Sequence, residues 1–188
     1  MISLHVVAAL ALSSAAAFPS ESLYQLDVPL ESHDGKEAKL ADFAGTPVLF
    51  AMFYATCPRA CPLLISDVKG VMAKLDERER KAVRVVLVSL DPERDTAAVL
   101  KGVVESRDLA GWTLLRASPA DTRAIATAIG VRYRDVGAAG GADGPIEHSS
   151  KIVLLDARGA PVAGREAQSS TDDLVKKIRA QVAQRAGP

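Results

Sequence analysis

The sequence predicts an α/β fold in which helices flank a central mixed sheet. Two apolar runs carry that prediction. One starts at Val48 and ends abruptly at Thr56 (VLFAMFYAT), and the other spans Val83–Leu90 (VRVVLVSL). Both are of strand length, and the second is β-branched and almost continuously apolar, the pattern of a strand covered on both faces. Each leads into a segment with the spacing of a helix, so strand and helix alternate as they do in layered α/β domains. The 188 residues are enough for one domain with a proper core. Acidic and basic side chains balance at 23 each, which excludes the charge excess of a nucleic-acid patch or a polybasic membrane surface.

Taken in order, Val6–Ala17 is an alanine-rich apolar run of signal-peptide length, too short to span a bilayer, and Ala15-Ala16-Ala17 supplies small residues for cleavage. Residues 1–17 are therefore read as a signal peptide cleaved after Ala17, although no Lys or Arg precedes the run. Residues 18–188 then form a single exported domain. Leu23–Val28 reads as an entry strand, Ser32–Lys36 as a turn containing His33 and Gly35, and Ala41–Thr46 as a short connection. Beyond the central strand, Leu63, Leu64, Val68, Val71, Met72 and Leu75 keep helical spacing toward Lys81. Asp91–Thr96 is a polar turn in which Asp95 or Thr96 caps a helix reaching Arg107. Trp112–Arg116 reads as a strand, Asp121–Ile129 as a helix stopped by Gly130, and Val131–Val136 as a strand edge. Gly137–Pro145 is rich in glycine and alanine. His148–Asp156 (HSSKIVLLD) reads as a strand, Asp156–Gly159 as a turn into Val162 and Ala163, and Thr171–Ala183 as an amphipathic closing helix capped by Ser170 or Thr171. This order describes a thioredoxin-like architecture, whose site lies where the first core strand enters its helix.

At that junction stand the only two cysteines, Cys57 and Cys61, within Cys57-Pro58-Arg59-Ala60-Cys61-Pro62. Pro58 suits a first helical turn. An i, i+4 spacing puts both sulfurs on one helical face, within reach of one bond or one ion. A helix N-terminus also favours a thiolate. The residues alone describe a redox site, a soft-metal site, or both, beside the plainer alternative of a structural disulfide clip. His33 and His5 read as a turn residue and a signal-segment residue. Asp91 ends its strand near the site, and Phe53 and Tyr54 read as core or rim packing.

Three blocks in order resemble the SCO/SenC proteins: FYATCPRACP (Phe53–Pro62), VSLDPERDT (Val88–Thr96) and IEHSSKIVLLDARG (Ile146–Gly159). The resemblance implies a thioredoxin-like fold that binds copper, copper(I) or copper(II), through Cys57, Cys61 and His148. It also implies work on the dinuclear copper centre of cytochrome c oxidase, either delivering copper or keeping that centre's thiols reduced. The partners so implied are the copper-accepting subunit of the oxidase or another copper protein, and a thiol reductase. The setting implied is the periplasm or the outer face of the inner membrane, with membrane contact only through the target or an uncleaved signal. Soft copper(I) prefers thiolates, and imidazole serves both valences. The glycines of Gly137–Gly144 suit a segment that lets His148 swing toward the sulfurs. Three departures from the family pattern stand out. Arg59 and Ala60 replace a commonly acidic position, Glu147 stands where Asp often precedes the histidine, and many members keep a membrane anchor.

Two other chemistries fit the same residues. A thiol–disulfide oxidoreductase would use Cys57 and Cys61 as attacking and resolving thiols, though their spacing is wider than Cys-x-x-Cys. A thiol peroxidase would want its threonine three residues before the cysteine, whereas Thr56 is adjacent to Cys57.

Overall fold

The computed structural model describes residues 17–137, 140, 144–166 and 170–186. The expected signal peptide lies outside the described residues except for Ala17, as do positions 138, 139 and 141–143 of the glycine-rich stretch. No helix among the described residues is long and apolar enough to cross a membrane.

The apolar run after Pro47 forms β3 (Val48–Phe53), every residue of it buried. Beside it runs β4 (Arg84–Ser89), parallel and in register from Val48↔Arg84 to Phe53↔Ser89. The other neighbour of β3 is β8 (Lys151–Leu155), which is antiparallel. The sheet extends through β5 (Thr113–Arg116), β1 (Leu30–Ser32) and β2 (Glu37–Ala38) on one side and β9 (Pro161–Glu166) on the other. The strand order is β2-β1-β5-β4-β3-β8-β9, a mixed sheet with β3 and β4 deep inside it. Burial on both faces is why these two strands lack polar alternation.

Helices α1 (Ala60–Ala73), α2 (Glu77–Lys81), α3 (Ala97–Ser106), α4 (Pro119–Ile129) and α5 (Asp172–Ala186) flank the sheet. Of these, α1 lies against β8 and α5, and α3 packs on β5. Thr96 caps α3 by accepting from the Val99 N–H, one of the two caps expected from the sequence. Ser118 caps α4 with Pro119 in its first turn, so that helix begins two residues earlier than expected. Gly130 ends it in the left-handed conformation, φ 70°, where a side chain would be strained.

Four expectations need correction. The strand expected at Leu23–Val28 is a 3₁₀ turn, Leu23–Gln25, because the Ser22 side chain accepts from the Tyr24 N–H and bends the chain. Strand β1 follows only after Pro29. The helix expected to run to Lys81 is two helices, because Asp76 and Glu79 form a reciprocal capping box that starts α2. Pro58 lies ahead of α1 and outside its first turn; Arg59 occupies the cap position. The single strand expected from His148 to Asp156 is split. Its start belongs to β7 (Ile146–His148), which pairs antiparallel with β6 (Tyr133–Asp135) in a separate two-stranded ribbon. Only Lys151–Leu155 joins the main sheet.

Candidate metal centre

The site forms where β3 gives out. After Phe53 the chain turns, with the Cys57 N–H donating to the Tyr54 carbonyl at 3.3 Å. Cys57 thus sits just ahead of α1, and Cys61 in that helix's first turn. The Cys61 backbone N–H donates to the Cys57 sulfur at 3.2 Å, and the Tyr54 N–H donates to the Cys61 sulfur at 3.4 Å. Both are free thiols, 4% and 2% exposed, so little water competes for these contacts.

The third donor comes from the ribbon. His148, paired across it with Tyr133, sets its Nε2 3.8 Å from the Cys61 sulfur. Its Nδ1 lies 3.2 Å from the Ser149 carbonyl oxygen. A carbonyl only accepts, so Nδ1 carries a proton and donates to it, while Nε2 faces the sulfurs. One donor atom from each of Cys57, Cys61 and His148 lies within 4.8 Å of the other two. The structure therefore gathers all three sequence-assigned residues at one point, 87 positions apart in the chain for the last pair.

The electrostatics divide the two cysteines. A hydrogen bond from the Cys61 thiol holds the Cys57 thiol well below its ordinary value, helped by His148 and by the backbone N–H groups of Cys61 and Arg59, against the opposing effect of burial. Cys61 moves the opposite way. Its role as donor to Cys57, its burial, and the negative charges of Cys57 and Asp95 all favour the thiol. Of the two, Cys57 is the more readily ionised and Cys61 the more firmly held as the thiol.

Two residues that sequence reading left in the background help to build this site. Asp95, fully buried, accepts from the Ala55 N–H at 3.0 Å and from the Ser89 hydroxyl at 2.6 Å, tying the end of β4 to the loop that carries Cys57. The sequence allowed it only as a possible helix cap, and no local pattern points to its partners Ala55 and Ser89. Tyr54, read as packing, stands edge-on to the His148 ring with centroids 5.6 Å apart. Asp91 is buried and accepts from the Arg94 Nε–H at 2.6 Å, which closes the turn. His33 is structural, as expected: its Nδ1 accepts from the Leu114 N–H at the β1–β5 edge. His5 lies outside the described residues.

A groove of about 370 Å³ opens beside His148, lined by Arg132, Tyr133, Arg134, Glu147, His148 and Ser149. Glu147, the unusual neighbour of the histidine, is exposed and paired with Arg134 at 2.8 Å. A pair so exposed contributes little to stability.

A thioredoxin-like domain with two cysteines and a histidine converging at the end of its central strand is a candidate soft-metal protein. The SCO1/SenC family model matches residues 20–183, and the chain belongs to that family. It is 30% identical over 166 residues to the mouse protein SCO2 homolog, mitochondrial, covering 85% of this chain. The chain spans 62% of the length of that relative. Among solved structures, Bradyrhizobium japonicum ScoI with copper bound superimposes with a TM-score of 0.66 at 26% identity, covering 82% of this chain and 96% of that one. A SCO1/SenC family lipoprotein from Bacillus anthracis shares the fold with a TM-score of 0.69 at 18% identity, over 83% of this chain and 96% of that one.

Proposed function

We propose that this protein is a copper metallochaperone that holds the ion as cargo between Cys57, Cys61 and His148 and passes it to the copper-accepting subunit of cytochrome c oxidase or to another copper protein. The observation that carries this reading is the convergence of two sulfurs and an imidazole nitrogen within 4.8 Å. The donor set suits copper(I) through its thiolates and either valence through its imidazole. Copper-bound ScoI, a relative of the same fold, supports the choice of metal. The family resemblance supports the choice of target.

The residues divide the work by their protonation. Cys57, the more readily ionised of the two, is the first sulfur to engage the ion. Cys61 must give up its proton as it joins, so loading releases a proton and becomes weaker in acid. His148 turns Nε2 toward the sulfurs while Nδ1 donates to the Ser149 carbonyl, which orients the ring for the ion. Two sulfurs and one nitrogen make three bonds. The acceptor's own ligand therefore has a side from which to approach and exchange the ion, and the groove beside His148 is a route to it.

The split between Cys57 and Cys61 also favours a second activity at the same pair, thiol–disulfide exchange that keeps target cysteines reduced. Cys57 attacks a target disulfide and Cys61 resolves the mixed disulfide, leaving the target reduced and this pair oxidised until a thiol reductase returns its two electrons. Export fits both readings. We read residues 1–17 as a signal and 18–188 as one domain working in the periplasm or on the outer face of the inner membrane. One relative is a mitochondrial protein and a structure of the same fold is a lipoprotein.

The test is copper stoichiometry on the reduced protein beside Cys57→Ala, Cys61→Ala and His148→Ala. One tightly held copper per chain, lost or greatly weakened in each variant, is expected. A His148→Ala protein that keeps its copper but loses thiol exchange would overturn the chaperone reading.

A further inference from the structure

Tyr54 meets each of the three donor residues through a different group. Its backbone N–H donates to the Cys61 sulfur at 3.4 Å, and its carbonyl accepts from the Cys57 N–H at 3.3 Å. Its ring stands edge-on to the His148 imidazole, at an interplanar angle of 81°. Its hydroxyl shares a hydrogen bond with the Cys57 sulfur and takes another from the backbone of Ile146, two residues before His148. The side chain is 1% exposed, and Gly144 closes over the hydroxyl so tightly that a Cβ there would collide with it.

These contacts matter because of how His148 is carried. Among the described residues the β6–β7 ribbon pairs with no strand of the main sheet, and a two-stranded ribbon alone is marginally stable. No ladder hydrogen bond among the described residues fixes the imidazole relative to the sulfurs, so beyond the two-residue link from His148 to β8 its position depends on side-chain contacts. Tyr54 is suited to that task. It has only two side-chain torsions, it is anchored at the end of a fully buried strand, and it reaches both the histidine ring and the backbone beside it.

We propose that Tyr54 is a positioning residue of the metal centre, a strut from the end of β3 that sets where the ribbon delivers His148 Nε2 relative to Cys57 and Cys61. The inference rests on the copper-centre reading above. It gives Tyr54 a role through His148 in addition to its place in the core. Replacing groups that orient a metal ligand typically lowers affinity by about 10- to 100-fold.

The experiment is a double-mutant cycle on the reduced full chain, with copper(I) affinity read by competition against a chromogenic copper(I) chelator. Tyr54→Leu removes the ring, Tyr54→Phe removes only the hydroxyl, and His148→Ala removes the ligand. Tyr54→Leu and His148→Ala should each weaken binding by about tenfold or more. The double variant should be within about twofold of His148→Ala, because a strut has nothing left to hold. Tyr54→Phe, keeping the ring contact, should lie between wild type and Tyr54→Leu. Unchanged affinity in Tyr54→Leu, or the same loss with and without His148, overturns the inference and leaves the copper reading intact. Equal binding by wild type and His148→Ala overturns the three-ligand reading and the inference with it. Should Tyr54→Leu not fold, nuclear Overhauser contacts between the Tyr54 and His148 rings in copper(I)-loaded wild type decide the matter. Their persistence supports the strut, and their loss on loading overturns it.

Discussion

Replacing Asp95 by alanine should destabilise the protein substantially even though Asp95 is not a proposed ligand. Its Oδ2 accepts from the Ala55 N–H and the Ser89 hydroxyl, and its Oδ1 is buried with no hydrogen-bond partner among the described residues. Alanine leaves both donors without an acceptor, and each such buried group costs about 1–3 kcal/mol. Removing a carboxylate from a buried position returns part of that. Ala55 is half-buried and recovers some hydration, whereas Ser89 is fully buried and recovers none. The expected net loss is about 2–4 kcal/mol, a fall in Tm of roughly 5–15 °C for a chain of this size.

Asp95→Asn separates the hydrogen bonds from the charge. Its amide oxygen still serves both donors, so the loss should stay within about 1 kcal/mol. Burial raises the Asp95 carboxyl above its ordinary range. The folded state therefore holds that proton more tightly than the unfolded state. Stability from this group is fully present below the ordinary carboxylate value and is lost as pH rises through the raised one. Asparagine should abolish that component of the pH dependence. Urea unfolding of the three proteins at neutral and mildly acidic pH measures all of this. An alanine variant within about 0.5 kcal/mol of wild type would refute the claim that the Asp95 carboxylate holds the cysteine loop to β4.

Cys61→Ala should shift the midpoint of Cys57 alkylation by iodoacetamide to higher pH, because it removes the largest influence holding that thiol down; an unmoved midpoint would place the cause elsewhere. Gly159→Ala should cost at least about 2 kcal/mol in urea unfolding, since overpacking and a left-handed backbone each cost on the order of 1–3 kcal/mol. A Cβ there would lie 2.5 Å from the Tyr24 ring, on a backbone with φ 80°. Copper affinity of the folded Gly159→Ala protein should equal that of wild type, because Tyr24 contributes nothing to the metal centre.

The parts of this structure that the sequence disclosed are those fixed by local pattern. β3 and β4 were visible because burial on both faces removes the polar alternation that hides a strand's identity. Thr96 and Gly130 were visible because caps have local chemistry. Two of the errors fell where distant contacts override local preference, whereas the break between α1 and α2 is local, a capping box of Asp76 and Glu79. Leu23–Gln25 is apolar enough for a strand, yet its backbone N–H at Leu23 goes to the Gly159 carbonyl across the chain. The run from His148 to Asp156 has no punctuation stronger than two serines, but its first residue belongs to a different sheet. Cys57 and Cys61 announced themselves by spacing, and His148 by family resemblance. Asp95 and Tyr54 could not be recognised in the same way. What distinguishes them is the partner each meets, Ala55 for one and His148 for the other, and no periodicity encodes that.

On the proposed copper reading, the separation of the β6–β7 ribbon from the seven-stranded sheet makes the donor set a hemilabile chelate. Both sulfur donors are built into one strand–helix junction and rise or fall together with the whole domain. The nitrogen donor comes from outside that junction, so its effective concentration at the ion depends on how the ribbon is held against Tyr54. Substitutions in Tyr133, Arg134 or Ile146 should therefore change how long copper stays without altering which atoms bind it. A carrier that must hold its cargo firmly and yet surrender it on contact gains from exactly one tooth being adjustable.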